Sequence, residues 1–131
     1  MQTTVLGAHP RAGLSVFVIW VPVLATDSIE NARTTVNLID DPRAVHYYDE
    51  KREAGHAIAE AVGGTEAIAW DCYLFFRAGV MWDKVLPTPD RWMHQLGPSV
   101  WADPTRFRWR DSLTAELRSA AAVLLGATEG P

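Results

Sequence analysis

Residues 15–24, SVFVIWVPVL, constrain the fold more than any other stretch of the chain. β-Branched and aromatic residues favour extended backbone, and apolar side chains fall on both faces of the run. A strand with two apolar faces needs a layer above it and a layer below. The run therefore predicts a parallel-type strand in the middle of a sheet, covered by helices. Pro22 has no N–H to give to a ladder, so pairing should weaken towards the C-terminal end.

The remaining segments supply those layers. TDSIENARTTVNLI places Asp27 and Glu30 at capping-box spacing. Ile29, Ala32, Val36 and Ile39 follow at helical spacing, so a short helix is expected over 28–38. DDPR breaks the chain, and AVHYY at 44–48 reads as a short strand or an extended connection. EKREAGHAIAEAV, 50–62, is a second helix whose apolar stripe is Ala54, Ala57, Ile58, Ala61 and Val62. Acidic residues at its start suit the helix dipole, and Gly63-Gly64 ends it.

AWDCYLFFR is then a second buried strand. AGVMWD reads as a turn leading into a further, edge-type strand. LPTPD is a proline-broken loop, and RWMHQLG is another strand. Asp111 or Ser112 can cap a C-terminal helix that buries Leu113, Leu117, Ala120, Ala121 and Leu124 and closes at Gly126. Strands at both ends of a helical crossover describe an α/β layer structure. A chain of 131 residues is one domain with room for a real core.

Several function classes are disfavoured by composition. A net charge of −4 argues against general binding to nucleic acid or to anionic membranes. The longest apolar run, from Leu14 to Ala25, is interrupted and too short to span a bilayer. The first residues lack the basic-then-apolar order of a signal peptide, so the default expectation is the cytoplasm. A single cysteine excludes an intrachain disulfide and a cysteine-based zinc cage.

VFVIWVPVL, DDPR, AWDCYLFF and WMHQL, in this order, resemble a bacterial thioredoxin-like family. The resemblance covers about residues 15–125. It implies a thioredoxin-like sheet flanked by helices, with a Cys-x-x-Cys or selenocysteine-x-x-Cys motif at a helix N-terminus, where dipole and free N–H groups lower the pKa of a thiol. This sequence holds no such motif. By the resemblance, residues 1–13 are the tail of the active-site helix, 14–126 the rest of an N-terminally incomplete fold, and 127–131 a disordered tail. The proline that usually precedes the later buried strand is absent, and Trp70-Asp71 stands there instead. Two functions follow: a domain of a thiol or selenol redox protein whose redox motif is absent from this chain, or a redox-inactive interaction module. A selenocysteine codon misread as a stop would account for the first.

No catalytic residue, metal ligand or cofactor is expected from these residues. By the resemblance, Trp70 and Asp71 could line a groove for a peptide or small thiol. An Asp at the start of a buried strand otherwise calls for a salt bridge or a turn hydrogen bond. His94 reads as a hydrogen-bonded histidine, or as a proton-handling partner of Asp71 across the sheet. Cys72, with apolar neighbours on both faces, reads as a small hydrophobe rather than a working thiol.

His46, Asp49, Glu53 and His56 offer one Glu-x-x-His pair, short of the two that di-iron bundles need, and read as a solvated face. In RFRWR, Arg106, Arg108 and Arg110 alternate with Phe107 and Trp109. Basic residues beside aromatics can hold single-stranded nucleic acid; here arginine stems lying over Trp109 are the simpler picture. Among six tryptophans, Trp20 and Trp70 fit buried strands, while Trp82, Trp92 and Trp101 surround the proline loop as a cap or an exposed patch. The expected partners are a protein or small thiol, or a second copy joined through exposed strand edges, because a missing central strand would leave edges open on both sides of its place.

Overall fold

The apolar run at 15–24 forms β1 (Val16–Trp20), shorter than its composition suggests because Pro22 stops the ladder. The structure is a computed structural model that describes residues 1–24, 26–97 and 101–126; the tail at 127–131 and the side chains of Gln2 and Val36 lie outside the described parts. After β1 come α1 (Ile29–Thr35) and a 3-10 turn (Val36–Ile39), together spanning the helix expected at 28–38. β2 (Ala44–Tyr48) follows and pairs with β1 in parallel, Val16 opposite Ala44 through Trp20 opposite Tyr48. The extended stretch at 44–48 is thus a strand, and β1–α1–β2 is a strand–helix–strand unit.

The start of α1 differs from the capping-box expectation. The Ser28 hydroxyl accepts from the Asn31 N–H, so Ser28 is the cap. Asp27 turns the other way, its carboxylate accepting from the N–H groups of Leu24 and Val23 at 2.7 and 2.8 Å. Those two bonds hold its pKa below the usual value.

α2 (Glu53–Ala61) turns its tightest contacts through Gly55 and Ala59, two small residues outside the expected stripe. A Cβ at Gly55 would come within 2.9 Å of Ile68, and one at Gly64 within 2.7 Å of the Trp101 ring. Gly63, with φ +95, ends the helix as the glycine pair predicted.

β3 (Cys72–Phe75) and β4 (Arg91–His94) form an antiparallel ribbon, Cys72 opposite His94 and Phe75 opposite Arg91. No strand is found between them among the described residues, where one was expected from AGVMWD. Asp90 instead closes the base of a loop: its N–H donates to the Phe75 carbonyl and its carboxylate accepts from the Arg77 N–H, both at 2.8 Å. α3 (Asp111–Leu124) buries Leu113, Leu117, Ala120 and Ala121 of the five residues expected on its packed face, and leaves Leu124 half-buried at its end. Neither Asp111 nor Ser112 caps it by a side chain; the Ser112 hydroxyl bonds back to Trp109.

The described strands form two separate ribbons, β1–β2 and β3–β4, in a mixed α/β fold. The core lies on one of them. Val5, Met93, Leu113, Leu117, Ala120 and Ala121 pack together, with Tyr73 and Phe75 against them. β1 is therefore not a central strand among the described residues, and Phe17 is 63% exposed. Among the described residues, no layer covers the apolar second face of β1.

Arg43, in the DDPR break, ties the N-terminal segment to the rest. Its guanidinium donates to the carbonyls of Leu6, His9 and Ala12 at 2.9, 2.7 and 3.2 Å. Leu6 ends a π-helical turn, Gln2–Leu6, whose Val5 carbonyl accepts from the His9 N–H at 3.1 Å, while Arg43 takes up the Leu6 carbonyl. Asp41 orients the guanidinium by two side-chain bonds, at 2.8 and 2.9 Å. The Arg43 guanidinium brings the Asp41 carboxyl down to about 2.

Candidate functional site

The residues singled out in AWDCYLFF and WMHQL meet on the β3–β4 ribbon. In this antiparallel register Cys72, Leu74, Trp92 and His94 share one face, while Tyr73, Phe75 and Met93 share the face under α3. The division of side chains along AWDCYLFF matches the period-2 expectation.

Cys72 and His94 are direct cross-strand neighbours, which residue numbers alone did not suggest. They do not form a thiol–imidazole dyad. His94 is 1% exposed and spends both ring nitrogens elsewhere. Its Nδ1 accepts from the Leu96 N–H at 3.1 Å, which leaves Nε2–H to donate to the Asp103 carbonyl at 2.8 Å. The rings of Trp92 and Phe107 lie 5.7 and 6.0 Å away and close the site to water. His94 thus pins β4 to the 103–108 segment, where Arg108 N–H also donates to the His94 carbonyl. His94 is thus the hydrogen-bonded histidine of the two readings, and among the described residues it makes no pair with Asp71.

The Cys72 thiol donates to the Trp70 carbonyl at 3.2 Å. Burial pushes the thiol up to about 12, and the Asp71 carboxylate adds to the effect. A thiol so held is almost wholly protonated near neutral pH.

Asp71 departs from what its sequence context called for. Among the described residues, no cation and no hydrogen-bond donor meets its carboxylate, so the expected salt bridge or turn bond is missing. Its backbone has φ +50, a left-handed conformation uncommon outside glycine, and its carbonyl accepts from the Gln95 N–H at 2.9 Å. Loss of water raises the carboxyl above its usual value. Trp70 beside it is 43% exposed and lies outside β3, so it is not the buried strand residue expected. Tyr73 donates its hydroxyl to Gln95 Oε1 at 3.0 Å, and burial followed by the Asp71 charge raises its pKa. Trp70, Asp71, Tyr73 and Gln95 therefore cluster where β3 begins, offering a ring, a carboxyl and a hydroxyl–amide pair.

The other candidates separate. His46 accepts from Trp20 Nε1–H through Nδ1 and bonds the Ile39 carbonyl through Nε2. Asp49 accepts from the Gly55 N–H, and His56 Nδ1 donates to the Ala67 carbonyl. Among the described residues, no group of three or more His, Cys, Asp or Glu side chains is placed to hold a metal ion. In RFRWR it is Arg106, not the whole row, that covers a ring, and the ring is Trp92, at 5.1 Å. Trp109 is exposed rather than lying under arginine stems. Arg91 and Arg108 both reach Glu116 of α3, the latter at 3.7 Å. Of the tryptophans around the proline loop, Trp92 is buried and Trp82 exposed. No described helix is long and apolar enough to cross a membrane.

No family model, curated protein or solved structure matches this chain.

Proposed function

We propose that the chain is a thioredoxin-like domain of a thiol or selenol redox protein, carrying the body of that fold without the redox motif. The observation that carries the reading is Cys72. It is the sole cysteine, its thiol sits on a strand and bonds a carbonyl, and its pKa is raised to about 12. Thiol exchange needs a thiolate and a second sulfur, and these residues supply neither. The order strand, helix, strand, helix, strand, strand, helix, with a parallel first pair and an antiparallel second, supports an α/β layer of this type.

On this reading the reacting sulfur or selenium is encoded upstream of Met1, and Trp70 with Asp71 faces the bound peptide or small thiol. The test is to read the upstream frame through any UGA codon, then assay insulin disulfide reduction with and without the added segment. The expected result is a Cys-x-x-Cys or selenocysteine-x-x-Cys upstream, no reduction by 1–131 alone, and reduction by the longer chain. An upstream region with no such motif defeats the proposal.

A second reading is a redox-inactive interaction module of the same fold. The edges of β1 and β3 that no described residue pairs favour it, since unpaired strands bind other strands.

A further inference from the structure

The β1–β2 ribbon presents an edge whose chemistry is specified by its hydrogen bonds. Val16 N–H donates to the Arg43 carbonyl at one end of the ladder, and the Trp20 carbonyl accepts from Asp49 N–H at the other. In a parallel pair alternate residues bond the same neighbour, so Val16, Val18 and Trp20 serve β2. Phe17 and Ile19 turn their N–H and C=O groups to the opposite edge, where no described residue meets them.

At that edge the Phe17 side chain is exposed and the Ile19 side chain half-buried. Phe17 and Ile19 share a face with Val45 and Tyr47, and the rings of Phe17 and Tyr47 stack at 6.4 Å in the open. Tyr47 is 53% exposed. Natural edges are guarded by charge, proline or a bulge. Residues 14–24 carry no charge, and Pro22 lies beyond the strand. The open edge of β3 differs, because the charged Asp71 and its left-handed backbone sit at its start.

We propose that β1 pairs with β1 of a second copy, antiparallel about a two-fold axis through Val18, making one four-stranded sheet from two ribbons. The strand is self-complementary in this register. Phe17 falls opposite Ile19 of the second copy, and Ile19 opposite its Phe17. Both residues point their main-chain groups across the join, so the two pairs exchange four N–H···O=C bonds. The apolar face of Phe17, Ile19, Val45 and Tyr47 then runs unbroken across the axis. No like charges are opposed, although each chain carries −4 overall. This gives the interaction-module reading its partner, and it is tested apart from thiol chemistry.

The experiment is sedimentation equilibrium of 1–131 from micromolar to hundreds of micromolar, with amide hydrogen exchange at both ends of the range. The expected mass rises from one 14.5 kDa chain towards twice that value. The amides of Phe17 and Ile19 gain protection with concentration, about tenfold or more, while Val18, already bonded to β2, changes less. Phe17→Lys, at an exposed position, should keep the far-ultraviolet circular dichroism of the monomer and abolish the association. A monomer at the highest concentration overturns the proposal, as does a dimer indifferent to Phe17→Lys. If the variant fails to fold, exchange at Phe17 and Ile19 of the unaltered chain decides. Protection independent of concentration defeats the pairing. A monomer that also fails to reduce disulfides removes this inference and leaves the redox reading standing.

Discussion

Leu117 on α3 and Phe17 on β1 are both large apolar residues on regular elements, yet one is 3% exposed and the other 63%. The half built on β3, β4 and α3 has a second layer: the helix stripe meets Tyr73, Phe75 and Met93 across the ribbon. The half built on β1, α1 and β2 has the same kind of residues and, among the described residues, no such layer, and α1 buries no side chain. Apolar composition is therefore not what stabilises a strand here. Burial against a facing element is, and only one half has it.

Truncation at the two sites should break that symmetry most strongly. Leu117→Ala removes side-chain volume from the closed half and should cost about 2–5 kcal/mol in chemical denaturation. Phe17→Ala in the monomer should cost less than about 0.5 kcal/mol, as surface changes do. Equal losses would show that the open half is packed after all.

His94 tests whether polar bonds or apolar packing hold the closed half together. His94→Leu preserves the packing against Trp92 and Phe107 but strands the Leu96 N–H and the Asp103 carbonyl. The expected cost is about 1–3 kcal/mol. A neutral outcome would assign the residue's contribution to packing alone.

A smaller effect is expected at Cys72, on the open edge of the same ribbon. Cys72→Ser should lower stability by about 1 kcal/mol, because a hydroxyl is harder to bury than a thiol. A thiol reagent at neutral pH should modify Cys72 slowly in the native chain and quickly in denaturant. The folded pKa is raised, so the stability linked to this thiol is present below about 9 and is lost as pH rises towards about 12.

The mildest test concerns the N-terminal segment. Asp41 has its folded pKa depressed by Arg43, so its contribution is full above about 4 and is lost as pH falls towards about 2. Amide exchange should show residues of the first fourteen opening in that window before the strands do. Simultaneous opening would mean the segment is held mainly by its own apolar contacts.

Periodicity made much of this architecture legible. The stripe on α3 and the alternation in CYLF follow from spacing alone, because each has a solvent side and a packed side. The extent of burial was less legible, since an apolar run reports what a strand could bury rather than what covers it. Trp70 and Phe17 look like core residues in sequence and are exposed for that reason. The predicted strand at AGVMWD failed because Asp90 closes a loop across it, a contact between residues 77 and 90. At the candidate site, the apolar setting that raises the Cys72 pKa was readable from its neighbours. The adjacency of Cys72 and His94 depends on the strand register and was not.

Arg43 was read only as part of a chain break, yet its bonds span 31 to 37 residues. The carbonyls it holds belong to the same segment that sends Val5 into the core beside α3. One side of that strap is thus fastened to the β1–β2 ribbon and the other to the packed half. Such a joint decides whether the chain melts as one unit or two. With the strap intact, loss of the core pulls on the ribbon, and a single transition follows. Once Arg43 lets go, the halves share less free energy, and the ribbon can unravel alone while α3 keeps its helix.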